Sequence, residues 1–301
     1  MWFFGDKMGE RLDTTWKGIA ARVDAALDRY LPDEETPPGE LHRAMRYSIF
    51  AGGKRLRPVL CVLSGRLAGA RLRELLPPAC ALEMVHTYSL IHDDLPAMDD
   101  DDFRRGKPTS HKVFGEALAI LAGDALLTLA FETITRHTKD GRIAARLCEE
   151  LSRGAGSEGM VGGQVFDILS EGEKPNARLV EEIHRRKTAA LIRASTRMGA
   201  IAACASDREL RDLTRFGETL GLLFQITDDL LDEVGEEGKM GKRLRKDAGR
   251  GKQTYPRVHG LAASAKLAGE LAARCESILD RYGGRAKVLR SIPRFILKRT
   301  S

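Results

Sequence analysis

A run of acidic residues is the clearest chemical signal in this sequence. Six aspartates fall within residues 93–102, and Arg104 and Arg105 follow closely. An apolar segment compatible with a helix precedes the run, so the acids begin inside or just beyond a packed helix. Buried carboxylates are costly unless they are paired or bind a metal ion. Taken alone, the run would favour an acidic loop exposed to solvent.

A second acidic cluster, at residues 224–232, changes that interpretation. Asp228 and Asp232 are four residues apart, so on a helix they share one face. Like charges at that spacing repel each other unless a cation lies between them. Mg²⁺ in proteins binds one or two carboxylates together with substrate phosphates and keeps several waters. Two such clusters facing each other across a helical cavity would hold a diphosphate through magnesium.

The spacing within the first run requires a break in the helix. Six residues separate Asp93 from Asp99, which on an unbroken helix is a rotation of about 240° beyond a full turn. The two aspartates would then lie on different faces. Pro96 resolves this, because proline ends or kinks a helix and lets Asp99 swing back.

Cationic side chains accompany a glycine-rich break at residues 52–58. Lys54 and Arg57 lie beside a predicted helix N-terminus, where backbone amides favour anions. Alone, this pattern is more typical of a solvated turn. Beside a diphosphate site it predicts a phosphate clamp. Arg104 and Arg105 suggest a second clamp, or counter-charges for the neighbouring aspartates.

Further polar residues on predicted helices could face the same cavity. His86 lies about two turns before the first aspartate and nearly on its face; a structural histidine is the alternative. Lys187 and Thr188 end a basic run that a solvated face would also explain. Gln225 is polar in apolar surroundings. The glycines of residues 159–167 weaken a helix, so close packing or a nearby ligand should compensate.

Composition and periodicity predict an all-α protein with one domain, residues 1–301. Alanine, leucine and charged residues dominate, and runs of β-branched residues are rare. No clear strand is expected. Helices are expected at about 10–31, 40–50, 54–68, from Pro77 to the aspartates, 115–138, 141–156, 157–170, 177–204, 207–234, 262–282 and 286–298. Residues 106–115 should form a loop, and the polar stretch 235–255 a functional lid or a disordered segment.

Charge and cysteine content narrow the classes of function. The formal net charge is +6, but basic residues are interspersed with acids, so a nucleic-acid partner is only a minor alternative. The five cysteines are far apart and indicate reduced core thiols. Neither a signal peptide nor a stretch approaching a membrane span is apparent. We therefore expect a cytoplasmic protein without integral membrane association.

These motifs, in this order, resemble those of the trans-polyprenyl diphosphate synthases from about residue 40 to about residue 260. The matching segments are 52–58, 93–99 (the longer form of the first aspartate motif), 104–106, 162–167, 187–188, 224–225, 228–232 and 251–256. The resemblance implies an antiparallel helical bundle around a deep central cavity, the isoprenoid synthase fold, and usually a homodimer. One departure is Arg245-Lys246, where the family usually has a small residue or glycine.

The resemblance also implies a reaction, in which isopentenyl diphosphate condenses with an allylic diphosphate. The implied metal ligands, for three Mg²⁺ ions that Mn²⁺ can replace, are Asp93, Asp94, Asp99, Asp228, Asp229 and Asp232. The implied clamp for isopentenyl diphosphate consists of Lys54, Arg57, His86 and Arg105. Positive charge for the departing allylic diphosphate is implied from Arg104, Lys187, Lys242 and Lys252, and further substrate-binding residues implied are Thr188 and Gln225. The residues expected to act in catalysis are Asp93, Asp94, Asp99, Arg104, Lys187, Asp228 and Lys242.

Product length should depend on what blocks the cavity below the first aspartates. Tyr88 lies more than one turn deeper in the helix, with the small Ser89 beside it. With Pro96-Ala97, Tyr88 resembles the bacterial farnesyl diphosphate synthases, which implies a fifteen-carbon product. The alternatives are a geranyl or geranylgeranyl diphosphate synthase, then a class I terpene cyclase or a non-catalytic subunit. A tyrosine that only packs in the core is the structural alternative.

Overall fold

The computed structural model describes residues 7–234 and 252–298. Its helices are α1 (Lys7–Tyr30), α2 (Gly39–Ile49), α3 (Leu56–Leu67), α4 (Leu72–Asp93), α5 (Ser110–Phe114), α6 (Glu116–His137), α7 (Gly141–Ala155), α8 (Met160–Leu169), α9 (Ala177–Ile183), a π-helix (His184–Ala189), α10 (Ala190–Ala202), α11 (Asp207–Val234), α12 (Tyr255–His259), α13 (Leu261–Ile278), a 3₁₀ helix (Asp280–Ala286) and α14 (Lys287–Leu297). The predicted all-α fold is confirmed.

The long helices pack against one another as a bundle. Helix α4 contacts α3 and α6, while α10 contacts α3, α7 and α11, and α11 contacts α13. Helix α1 covers α3 and α4 with a face that includes the fully buried Val23 and Leu27. Burial of these faces supplies most of the stability of such helices, because helix propensity alone is weak.

Helix α4, which leads to the first aspartates, begins earlier than predicted. It starts at Leu72, so Pro77 and Pro78 lie inside it and do not begin it. The start is fixed by Glu74, whose carboxylate accepts a 3.0 Å hydrogen bond from the Arg71 main-chain N–H. The prolines remove two helical donors, but both are buried, and packing against α3 and α6 compensates.

A short hairpin replaces part of the loop expected at residues 106–115. Phe103–Arg104 (β1) pairs antiparallel with Lys107–Pro108 (β2), and α5 follows. Between the strands, Arg105 and Gly106 both have positive φ, of 54° and 77°. Two such residues in succession form the turn that suits a two-residue hairpin. The expectation of no strand was therefore wrong here, and this tip presents Arg104 and Arg105.

The helix predicted at 177–204 is divided by the π-helix. The wider turn spans His184–Ala189 and contains Lys187 and Thr188. Such turns are rare and often lie at functional sites.

Helix α6 has the length and composition of a membrane-spanning helix, contrary to the expectation that no stretch would approach one. Its most apolar stretch is 39% buried. Core helices of water-soluble proteins can have the same length and apolar composition, and α6 packs against α2 and α4. Its outward side exposes Ile120 and Leu121.

Helices α3 and α10 approach closely at two glycines. A Cβ atom on Gly199 would overlap the carbonyl oxygen of Cys61, and one on Gly65 would lie 2.9 Å from the carbonyl oxygen of Gly199. The contact is between backbones, so neither helix can yield by rotating a side chain.

Replacing Gly199→Ala should lower the free energy of unfolding by about 1–3 kcal/mol or more, because the methyl group forces α3 and α10 apart. Denaturation in urea measures this change. Gly269→Ala on α13 is the matched control, since a Cβ atom added there would have no neighbouring atom within 4 Å. It should stabilise the protein by up to about 1 kcal/mol through helix propensity. Equal effects of the two substitutions would contradict the close packing.

Candidate active site

The first aspartate motif lies where α4 ends. The helix stops at Asp93, and the main chain then folds back, so that the Asp99 N–H donates a 2.8 Å hydrogen bond to the Asp93 carbonyl oxygen. The N–H of Asp100 similarly bonds the carbonyl of Leu95 at 3.1 Å. The expected helix end before Pro96 is confirmed, and it brings Asp99 beside Asp93.

The half-buried Asp93 is electrostatically strained. Burial raises the pKa of its carboxyl group to about 6, Lys187 opposes the rise, and the neighbouring carboxylates of Asp99 and Asp94 add to it. A cation beside these oxygens would relieve both desolvation and repulsion. The group therefore has the chemistry of a site for a hard divalent ion.

Asp94 has a protein partner. Both of its carboxylate oxygens accept hydrogen bonds from Arg104 Nε, at 2.7 and 2.9 Å. Arg104 Nη2 lies 2.5 Å from the same carboxylate and 3.6 Å from that of Asp101. Asp94 is buried, and its hydrogen bonds orient Arg104. Its predicted role as a metal ligand stays a prediction.

The second motif, on α11, has one buried member and two half-buried ones. Asp229 is 4% exposed and accepts bonds from Gln225 Nε2 at 2.9 Å and from the Tyr255 N–H at 2.9 Å. His184 Nε2 lies 3.4 Å away. Asp228 and Asp232 are half-buried. Asp229 thus joins α11 to α12, and its assignment as a metal ligand also stays a prediction.

Two lysines meet a carboxylate that sequence reasoning did not single out. Lys187 Nζ lies 2.6 Å from Asp167 Oδ2, and Lys252 Nζ lies 3.9 Å from the same oxygen. Lys252 is also 3.5 Å from Asp99 Oδ1. Asp167 on α8 therefore holds both lysines near the first motif. It belongs to the glycine-rich segment 162–167, and that segment was the sequence feature that could have identified Asp167.

The glycines of α8 are explained by this arrangement. A Cβ atom on Gly163 would overlap the main chain of Lys187, so only glycine lets α8 reach the π-helix. The expected close helix packing is confirmed here. On the other side of the π-helix, Thr188 Oγ1 donates a 2.6 Å hydrogen bond to Gln225 Oε1. The π-helix is therefore bound to both α8 and α11.

A polar cavity lies between α8, the π-helix, α11 and the segment before α12. Its volume is about 70 Å³, and its lining includes Asp167, Lys187, Gln225 and Lys252. Gln253, which is 2% exposed, fixes that segment: its side chain accepts from the Asn176 N–H at 3.1 Å and donates to the carbonyls of Glu173 and Lys174 at 3.3 Å.

A second group of cations surrounds His86. Burial lowers the pKa of His86 well below its ordinary value, and the charges of Arg57, Arg105, Arg104 and Arg55 act in the same direction. The imidazole is therefore neutral at physiological pH. Burial and Arg105 lower the pKa of Arg57 to about 10 although Glu83 and Asp228 oppose them. Such an excess of positive charge suits a bound anion.

Two members of this group show how it is held. Arg105 Nη1 donates to the carbonyl oxygen of Gly52, and a Cβ atom on Gly53 would overlap the Arg105 guanidinium. Arg57 Nε is buried, and within residues 7–234 and 252–298 no acceptor bonds it. It is therefore an unsatisfied buried donor within the cationic group.

The remaining predicted residues lie at the edges of the site. The Tyr88 side chain is 6% exposed and meets the His92 ring edge-on at 5.7 Å between centroids. Burial and Asp93 raise the pKa of Tyr88 to about 12. Ser89 Oγ donates to the His86 carbonyl at 2.9 Å. Lys54 is exposed. Lys242, with the predicted lid and Arg245-Lys246, lies outside the described residues.

A separate acidic group lies next to the hairpin. Ligand atoms of Asp100, Asp102 and His111 fall within 4.8 Å of one another. Asp102 is paired with Lys112 at 2.8 Å, and His111 Nδ1 lies 3.2 Å from Thr109 Oγ1. These contacts engage Asp102 and His111 Nδ1, whereas His111 Nε2 is buried without a hydrogen-bond partner among the described residues.

Replacing Asp93→Asn should stabilise the metal-free protein at neutral pH. Because the pKa of Asp93 is raised in the folded state, the wild type loses stability as the pH rises from about 4 through about 6. Asparagine does not ionise, so the advantage of the variant should grow to about 1–3 kcal/mol by pH 7.5. Thermal unfolding of both proteins between pH 4.5 and 8 measures it. A difference that does not change with pH would contradict the strain at Asp93.

Comparisons with known proteins identify the family of this chain. The profile of the polyprenyl synthetase family matches residues 38–281. A farnesyl diphosphate synthase of Geobacillus stearothermophilus is 51% identical over 251 residues, which are 82% of this chain and 84% of that protein. The chloroplastic large subunit 1 of a heterodimeric geranylgeranyl pyrophosphate synthase from Arabidopsis thaliana is 49% identical over 259 residues, 84% of this chain and 69% of that protein.

Solved structures give the same result for the fold. An FPP/GFPP synthase from Zymomonas mobilis superposes with a TM-score of 0.86 at 36% identity, and the match covers 95% of this chain and 99% of that one. A family profile over most of the chain and relatives of this length and identity establish family membership. The chain belongs to the polyprenyl synthetase family and is a prenyltransferase.

Proposed function

We propose that this protein condenses isopentenyl diphosphate head-to-tail with dimethylallyl and then geranyl diphosphate, and that it releases (2E,6E)-farnesyl diphosphate. The observation that carries the proposal is the presence of two cationic groups on different elements. Lys187 and Lys252 lie with the first aspartate motif, and Arg57 and Arg105 surround His86. Two diphosphates can therefore be held at once, as a condensation requires.

We propose Mg²⁺ as the cofactor, since the donor set consists of carboxylate oxygens. The crowding of Asp93 with Asp94 and Asp99 fits a divalent cation, because burial and the neighbouring carboxylates raise the pKa of Asp93 and a bound cation would offset both effects. Asp93, Asp99, Asp228 and Asp232 would hold the ions, three in number. When bound, Mg²⁺ supplies positive charge that helps a diphosphate leave.

The side chains of this protein then have distinct tasks. Lys187 and Lys252, oriented by Asp167, would stabilise the negative charge that develops on the departing diphosphate, and Arg104 would do the same from the hairpin. Arg57, Arg105 and the neutral His86 would hold isopentenyl diphosphate, so that its double bond faces the allylic carbocation. Thr188 and Gln225 would fix the cavity wall. We assign the final deprotonation to no side chain.

The reaction itself is tested with purified protein, Mg²⁺, isopentenyl diphosphate and dimethylallyl diphosphate. Dephosphorylated products are sized by chromatography, with a chelator as the negative control. Farnesol is the expected alcohol. A cyclic hydrocarbon from farnesyl diphosphate, without condensation, would instead indicate a terpene cyclase.

Product length is the finer part of the proposal. Tyr88 is buried one turn and more below the first motif, near enough for Asp93 to raise the pKa of its phenol, so its ring would meet a chain that grows away from the aspartates. A geranylgeranyl product is the second candidate, because several relatives bear that name, including the Arabidopsis thaliana protein above.

Replacing Tyr88→Ala should lengthen the product by one or more isoprene units, because removing the ring opens the space below the aspartates. The products of the wild type, Tyr88→Ala and the control Tyr88→Phe are sized in the same assay. Phenylalanine keeps the ring, so that variant should still give farnesol. Geranylgeraniol from the wild type would contradict the farnesyl assignment, and an unchanged product from Tyr88→Ala would contradict the role of the ring.

We further propose a homodimer of a single-domain chain. The outward face of α6 exposes Ile120 and Leu121, at 43% and 55%, on the most apolar long helix of the described residues. An apolar helix face of this kind is typical of a protein interface. All five cysteines are free, which suits action in the cytoplasm.

Replacing Leu121→Glu should shift the protein toward monomer, because a carboxylate would be buried in the interface without a partner. Light scattering coupled to size-exclusion chromatography measures the mass. Ala263→Glu on the exposed side of α13 is the control and should leave the mass unchanged. A wild type that is monomeric at all concentrations, or that associates only with a different chain, would contradict the homodimer.

A further inference from the structure

Arg55 is a fully enclosed cation between two residues of the proposed diphosphate clamp, Lys54 and Arg57. Its side chain is 3% exposed, and the clamp residues do not bond it directly. Instead Nε bonds Asp24 at 2.8 Å, Nη1 bonds Glu83 at 2.7 Å, and Nη2 bonds the carbonyl of Ile49 at 2.7 Å. Every nitrogen of the guanidinium thus has an acceptor.

These three acceptors belong to three different helices. Asp24 lies on α1, Ile49 ends α2, and Glu83 lies on α4 three residues before His86. Arg55 itself precedes the first residue of α3. One side chain therefore fixes the start of α3 relative to three neighbouring helices, and the start of α3 is the part of the chain that presents Arg57.

The backbone at Arg55 depends on these bonds. Its φ is 51°, in the left-handed region that residues with a Cβ atom rarely adopt. Gly52 and Gly53 before it also have positive φ, so the loop has little intrinsic preference for one shape. A second tie reaches the same loop, since Trp16 Nε1 donates a 2.6 Å hydrogen bond to the Lys54 carbonyl.

Glu83 connects this assembly to the rest of the clamp. It is 1% exposed, and its negative charge opposes the lowering of the pKa of both Arg57 and Arg105. Arg105 in turn bonds the Gly52 carbonyl. One buried carboxylate thus lies within electrostatic range of three arginines, and it accepts its hydrogen bond from Arg55.

We propose that Arg55, held by Glu83 and Asp24, is a positioning residue that sets the geometry of the clamp for isopentenyl diphosphate and not that of the allylic diphosphate site. This inference rests on the proposed function. It states which of the two diphosphate sites Arg55 serves. Arg55 does not touch the substrate in this assignment; it acts by holding the Gly52–Arg57 loop against Arg105.

The geometry makes a selective effect the expected one. The residues near the allylic side, Lys187, Lys252 and Asp167, belong to the π-helix, the segment before α12 and α8. The bonds of Arg55 go to α1, α2 and α4. Helix α4 also carries Asp93, but the bonded Glu83 lies three residues before His86 and ten residues before Asp93. A disturbance at Arg55 therefore acts first on the clamp around His86 and much less on the allylic site.

The test is Arg55→Lys, which keeps the positive charge opposite Glu83. An ammonium group is a single point and cannot reach acceptors on three helices as the planar guanidinium does. We expect the KM for isopentenyl diphosphate to rise about tenfold or more, with the KM for geranyl diphosphate and kcat within about threefold of wild type.

Arg197→Lys is the matched control, because Arg197, although more exposed at 26%, is another arginine with two side-chain partners. It bonds Glu150 at 2.8 Å and Thr214 at 2.7 Å, and so joins α7, α10 and α11. It should lower the thermal midpoint without separating the two KM values. If Arg55→Lys fails to fold, Asp24→Asn replaces it, since the Asp24 side chain is 44% exposed and the change removes the charge from one of three partners. A smaller rise in the same KM is then expected.

Three outcomes would overturn the inference. The KM for isopentenyl diphosphate is unchanged in Arg55→Lys, or both KM values rise together, or the control Arg197→Lys gives the same selective rise. Each of these leaves the condensation reaction intact, so the inference alone fails. Absence of condensation in the wild type would overturn the proposed function, and the inference with it.

Discussion

The burial of mutually repelling carboxylates at the end of α4 is the constraint on which the site depends. Asp93, Asp94 and Asp99 are brought together by a chain reversal, and no two of them can be charged without cost. Cations from separate elements offset this cost: Arg104 from the hairpin, Lys187 from the π-helix and Lys252 from the segment before α12. The same charges that prepare the site therefore also hold its walls together.

Much of the fold could be predicted from the sequence, because its helices follow apolar periodicity. The return of Asp99 could be predicted as well, since it follows from Pro96 and helix geometry alone. The start of α4 was missed because burial of Pro77 and Pro78 outweighs the local preference of proline. The hairpin was missed because it depends on a positive φ at Arg105. A positive φ is not predicted for a residue other than glycine.

Motif spacing indicated site residues whose described members lie in two neighbouring groups, but the residues that support them could not be predicted. Asp167, Glu83 and Arg55 act through partners far away in the chain, such as Lys187 or Asp24. The sequence around a carboxylate does not show whether it is buried and orients a lysine or lies on a solvated helix face. Only the packing of α8 on the π-helix, or of α1 and α4 on the glycine loop, makes the difference.

The π-helix at His184–Ala189 has a consequence for how such a site can arise. A wide turn of this kind accommodates one residue more than a regular turn within the same helix. Each residue normally rotates a helix by about 100°, but the wider turn absorbs the extra residue locally, so that side chains within the turn change direction while the helices on either side keep their faces. A single insertion in an ordinary bundle helix would suffice to turn Lys187 toward α8 and Thr188 toward α11, while α9 and α10 keep their packing.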